Sequence, residues 1–142
     1  MVTLSHDFFK QWGEVYDRIE TDEDEYQHIL KNTESEIVLL NNISKKNFLN
    51  ILNWKSPRLK GKVNLSRFEL DYSPAFIEII RSKSKLDKIK IITSLRGIAV
   101  PAGSTILHFI YPNDFPIMDI RTAEALCHFN ILKNKARTIT NY

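Results

Sequence analysis

A chain of 142 residues with 43% hydrophobic side chains, 26% charged ones and only nine Gly plus Pro has the makeup of one globular domain and excludes collagen-like, low-complexity and disordered classes. At this length folding removes about 68–70% of the unfolded surface from water, so the core needs no disulfide staples, and Cys127 has no second cysteine to pair with. The net charge of +3 hides an asymmetry, because residues 1–40 hold three basic and ten acidic side chains whereas residues 41–142 hold seventeen and seven.

A basic body favours a polyanionic partner, since each phosphate neutralised by Lys or Arg releases condensed counterions, and an acidic arm can fold onto that body or keep it in solution. A lone thiol points to a reducing compartment and leaves no cysteine set for a zinc or iron–sulfur site. No run reaches the ~18 apolar residues of a membrane span, and Asp7 comes before any signal-peptide core could form. The expectation is a cytoplasmic protein without a membrane partner.

After Ser5, the side chains of Phe8, Phe9, Trp12, Val15, Tyr16 and Ile19 recur every three to four residues, which predicts an amphipathic helix capped by Ser5. The acidic run Asp22 to Glu25 suits the positive end of a second helix over Asp22 to Leu30. Ile37 to Leu40 is a short apolar run that fits buried helix or strand, and helix is preferred. Ser44 precedes Phe48, Leu49, Ile51, Leu52 and Trp54 at helical spacing, and Ser56-Pro57 ends that helix because a residue before Pro avoids helical angles. The basic stretch Lys55 to Lys62 reads as an exposed connection, and Val63 to Leu70 fits no single period, predicting mixed coil and short helix.

Ser73-Pro74 predicts a helix start, with Ser as the cap and Pro giving up an amide that has no partner there, and the helix runs to about Arg81. Next, Leu86, Ile89, Ile92 and Leu95 form an apolar face with Lys85, Lys88 and Lys90 around the outside. Gly97 to Val100 is a tight turn, and Pro101 opens a helix through Ala102, Ile106, Leu107 and Phe109. Tyr111 to Asp114 is a turn, Phe115-Pro116 is extended, and Asp119 stands in a cap position before a helix over Ile120 to Phe129. The expected architecture is a single all-α domain over 1–142, with an acidic helical arm at 1–40 and a basic helical body at 41–142 that contains a hairpin at 86–110.

The stretch Leu95-Arg96-Gly97-Ile98-Ala99-Val100-Pro101-Ala102-Gly103-Ser104, continued through Phe115-Pro116-Ile117-Met118-Asp119, resembles the helix-hairpin-helix DNA glycosylase superfamily. It is most similar to uncharacterised bacterial members that also carry a Trp-Lys-Ser-Pro-Arg segment like Trp54 to Arg58. The match covers residues 86–126 and extends loosely back to Trp54. It implies a glycosylase-like helical fold, a shortened one in which the C-terminal helices are missing, and binding to duplex DNA. In such a hairpin a Gly turn lets the backbone approach a phosphate while the next helix start offers unpaired amides. The amides of Gly97 and Ile98 are therefore the expected phosphate donors, with Ala99, Arg96, Lys55 and Arg58 completing the DNA-binding set and Lys60, Lys62, Lys83, Lys85 and Lys88 adding charge nearby.

Two departures from the family pattern carry weight. Ala99 stands where the family has a second Gly, and Ala tolerates positive φ poorly. Pro101 stands where strand-cutting members have a Schiff-base Lys, so lyase chemistry is not expected. The family's Asp maps to Asp119, which implies monofunctional excision: a carboxylate stabilises positive charge on the deoxyribose as the N-glycosidic bond breaks and orients the attacking water. Asp119 also suffices as a plain helix cap, and Arg121 is a nearby partner for it or for phosphate. Base flipping calls for a stacking surface, for which Trp54, Tyr72 and Tyr111 are the candidates. The chain ends 23 residues after Asp119, where the resembled proteins continue, so a catalytically silent DNA binder is the alternative, and a protein-interaction module is a third class. His6, His28, His108 and His128 lack metal-ligand spacing, and no GxxxxGK, GxGxxG or GxSxG is present, so neither a metal nor a nucleotide cofactor is expected. Cys127 reads as a small buried side chain.

Overall fold

A computed structural model describes residues 23–118, 124, 125 and 127–129, and every regular element among them is helical. The helix expected after Ser5, together with Asp119 and Arg121, lies outside the described residues. The two short segments expected before residue 41 are one helix, α1 (Glu23–Leu40). No Gly or Pro occurs between Lys31 and Glu36, so nothing interrupts the hydrogen-bond ladder. Thr33 keeps the inward face continuous by donating its hydroxyl to the Ile29 carbonyl at 2.8 Å. Asn41 ends the helix at φ 52°, and its amide donates to the Ile37 carbonyl at 3.0 Å, the left-handed stop that Asn accepts more readily than other side chains with a Cβ. α1 also supplies Ile29 to the shared core, so this half of the acidic segment is built into the body. The apolar run at its end is helical, but Val38, Leu39 and Leu40 face solvent.

Ser44 caps α2 (Lys45–Lys55) by accepting the Asn47 amide at 3.1 Å. The cap is itself held from α1: Glu36 accepts the Ser44 amide at 3.0 Å and hydroxyl at 2.5 Å, and the buried Asn47 donates to Thr33 at 2.9 Å and to Glu36 at 3.1 Å. Ser56 turns extended at φ −168° before Pro57 and stops α2 as the sequence predicts. The connection that follows is two 3-10 turns, Pro57–Gly61 and Leu65–Arg67, and a π turn, Phe68–Tyr72.

The π turn runs straight into α3 (Ser73–Arg81). Ser73 is therefore no cap: it already has helical angles, φ −58° and ψ −47°, and its Oγ accepts from Asn42 Nδ2 at 2.7 Å. α4 (Lys85–Ser94) is capped by Ser84, whose Oγ accepts the Asp87 amide at 3.2 Å. Its apolar face is rotated from the expected one. Leu86 is 48% exposed while Lys88 is 8% exposed, with Nζ lying 4.2 Å from the centre of the Tyr111 ring. Successive i, i+3 steps each fall about 60° short of a full turn, so a run of them walks around the helix. The buried face centres on Lys88, Ile89 and Ile92.

α5 (Val100–Ile110) is the central helix. Every residue from Ala102 to Leu107 is buried, as expected of a helix surrounded by others, and α1, α2 and α4 all pack on it. Gly103 lets α4 come close, since a Cβ there would stand 3.1 Å from Ile92 Cγ2. Beyond α5 the segment 115–118 is extended and retraces the helix: the Phe115 carbonyl accepts from His108 Nδ1 at 2.8 Å, and the Met118 amide donates to Ser104 Oγ at 2.8 Å. Cys127, expected to be buried, is intermediate in exposure.

Candidate nucleic-acid interface

The turn between α4 and α5 needs its glycine twice over. Gly97 sits at φ +82°, and a Cβ there would stand 2.3 Å from the Lys62 carbonyl oxygen and 3.0 Å from the Val63 nitrogen. Positive φ disfavours L side chains and the missing Cβ permits the backbone contact. Ala99 takes φ −93° and ψ 179°, an extended conformation open to any residue, so the departure from a second Gly strains nothing. The amide of Ile98 donates to the Leu95 carbonyl at 3.1 Å and its side chain is buried. That amide closes the turn, which corrects its expected role as a phosphate donor.

The turn forms one wall of an open cleft of about 690 Å³ lined by Leu59, Lys62, Gly97, Ile98, Ala99, Pro101 and Ala102. Its floor is the head of α5, where Ala99 offers no side-chain cap and Pro101 has no amide. The first backbone bond of that helix runs from the Gly103 amide to the Ala99 carbonyl at 2.8 Å. The amides preceding it point out of the helix start, as in any uncapped terminus. On the opposite wall Lys62 is the charged lining residue, and Arg58 and Lys60 are exposed on either side of Leu59. Arg96 is exposed next to Gly97. Lys55, in the last turn of α2, is half-buried and does not line the cleft.

The structure thus gathers Gly97, Ile98 and Ala99 at the cleft, with Arg96 and Arg58 adjoining it, and leaves Lys55 apart. The three candidate stacking surfaces are all engaged elsewhere. Trp54 packs edge-on against Phe109 at 5.3 Å and beside Tyr26 at 5.7 Å. Tyr72 is 1% exposed. Tyr111 lies under Lys88 and next to Phe115. Burial, and then the negative charge of Asp114, hold the Tyr111 phenol above its ordinary pKa.

Sequence reasoning did not anticipate the roles of Leu59, Tyr72 and Ser104. Leu59 looks like part of a solvent-facing basic loop, and the other two act across long sequence separations. His108 likewise bridges Tyr26, at 2.7 Å, and the Phe115 carbonyl. A carbonyl only accepts, so Nδ1 carries the proton there, and in the neutral ring Nε2 accepts from the Tyr26 hydroxyl. His28 pairs with Asn32 at 3.1 Å on the surface. Among the described residues no three His, Cys, Asp or Glu side chains gather in a metal-binding group, and no helix is long and apolar enough to cross a membrane. Comparisons with protein-family models, curated proteins and solved structures give no match to this chain.

Proposed function

We propose that the cleft at the head of α5 grips the sugar-phosphate backbone of duplex DNA, and that Asp119 then serves monofunctional base excision. The observation that carries the binding is the joining, around one open cleft, of a positive-φ glycine turn, an uncapped helix start and the Lys62 side chain. Outward amides at a helix start favour an anion, and a neighbouring ammonium adds counterion release to the binding free energy.

The excision step rests on the resemblance that assigns the carboxylate role to Asp119, which follows the extended segment in sequence. In the reaction the bond from C1′ to the base nitrogen breaks, its electron pair leaves with the base, and water adds at C1′ while the proton it loses passes by way of the carboxylate to the departing base. A carboxylate beside C1′ offsets the developing positive charge.

Binding without excision is the second reading, favoured by the burial of Tyr72 and by the packing of the half-buried Trp54 and Tyr111 against other side chains, since a flipped base needs a stacking surface. Titration with an undamaged duplex over a range of salt tests the first part. With Lys62, Arg58 and Arg96 each meeting a phosphate, log affinity is expected to fall against log salt with a slope of about −2 to −3. Lys62→Glu is expected to weaken binding and flatten the slope by about 1. Salt-insensitive or absent binding would favour a protein-interaction module. Incubation with duplexes carrying alkylated, deaminated or oxidised bases tests the second part: abasic sites that vanish with Asp119→Asn support excision, and binding with no product from any lesion leaves the silent binder.

A further inference from the structure

We infer that the Tyr72 hydroxyl is the positioning group of the cleft, locking its two walls together before any ligand arrives; this rests on the cleft being the DNA site. Tyr72 closes the π turn, and its ring is fixed from two sides, by Phe48 at 5.3 Å and by Phe68 stacked at 6.4 Å. The hydroxyl that this packing delivers to the interior accepts the Asn64 amide at 3.1 Å and donates to the Arg96 carbonyl at 2.6 Å. Asn64 is two residues from Lys62 in one wall, and Arg96 directly precedes Gly97 in the other.

One phenol therefore satisfies a backbone donor of the first wall and a backbone acceptor of the second. The same two stretches meet at the Gly97 contact with the Lys62 carbonyl. A buried hydroxyl that donates its one proton and also accepts an amide is held to one place, so the spacing between Lys62 and the head of α5 is set by the protein rather than by the ligand. A pre-shaped site spends less of its binding free energy on ordering. Neither an ionisable nor a reactive role is needed. Tyr72 does not line the cleft, and it acts through the backbone on both sides.

Tyr72→Phe keeps the ring and removes both hydrogen bonds. In the free variant, amide exchange at Asn64 and at Gly97 to Ala99 is expected to accelerate about tenfold or more while the interior of α5 keeps its protection. Well below the melting temperature, duplex affinity is expected to drop roughly tenfold with an unchanged salt slope, because no cation has been removed. A residue with only a general structural role would lower the melting temperature and leave the affinity of the folded protein alone. Exchange and affinity both equal to wild type would overturn the assignment of Tyr72 while leaving the cleft as a DNA site. Wild-type protein without salt-dependent binding would overturn the DNA reading and this inference with it. If the variant does not fold, wild-type NMR decides: a slowly exchanging Tyr72 hydroxyl proton together with a protected Asn64 amide is expected, and a rapidly exchanging pair overturns the proposal.

Discussion

At the scale of single residues, Gly97 carries the most structural demand in the cleft. Gly97→Ala meets both an unfavourable positive φ and a Cβ placed 2.3 Å from the Lys62 carbonyl oxygen, so a loss of at least about 1–2 kcal/mol is expected in urea unfolding. An equal change at Gly61, where nothing lies within 4 Å of a Cβ, provides the control. Tyr111 makes a pH prediction. Burial first, and Asp114 second, raise the phenol above its ordinary value near 10 in the folded chain. Below that value both states are protonated and the folded state keeps its full advantage. As pH rises through the ordinary value toward the raised one, the unfolded chain ionises first and stability falls. Tyr111→Phe is expected to flatten this alkaline decline in thermal melts carried upward from about pH 10, the ordinary value. The glycine at position 97 is legible from sequence because turn chemistry is local. The Tyr72 hydroxyl is not, because its partners lie 8 and 24 residues away and nothing in the neighbouring residues encodes them.

At the scale of elements, caps separate what local sequence determines from what context overrides. Ser44 and Ser84 cap their helices, each accepting an amide three residues on. Ser73 looks equally competent beside Pro74, yet the π turn before it already supplies helical backbone, and a Ser with helical angles cannot take the extended cap conformation. Ser44→Ala is expected to cost about 1–2 kcal/mol in denaturant unfolding, since it removes the cap and one hydrogen bond to the Glu36 carboxylate together. Ser73→Ala loses only its contact with Asn42 and is expected to cost less than half as much, about 0.5 kcal/mol. The rotated face of α4 has a different origin. Counting apolar residues at strict three-residue spacing places Leu86 inside and Lys88 outside, whereas Lys88 is buried with its ammonium over the Tyr111 ring and takes an interior position that a periodicity count reserves for apolar side chains. The break expected between Leu30 and Ile37 fails for a related reason: a polar stretch with no helix breaker continues the helix once Thr33 satisfies its own hydroxyl.

Over the whole molecule, the all-helical architecture of the described residues follows from sequence periodicity, and the cleft does not. The cleft depends on how α5 is surrounded. Ile106 is fully buried within that central helix, and Ile106→Ala is expected to cost about 2–5 kcal/mol. Leu39, though equally apolar, is 80% exposed, and Leu39→Glu is expected to stay within about 0.5 kcal/mol of wild type in the same unfolding assay. The contrast tests the placement of α5 against that of the outer end of α1. The junction of Asn64 and Arg96 across Tyr72 also has a kinetic side. Its two chain stretches are 32 residues apart, and contacts of that span form only after the intervening loop has been closed against its entropy. Helical hairpins such as α4 and α5 join neighbouring residues, but the groove between Lys62 and Gly97 exists only where these distant stretches are docked, so helix content alone does not report its formation.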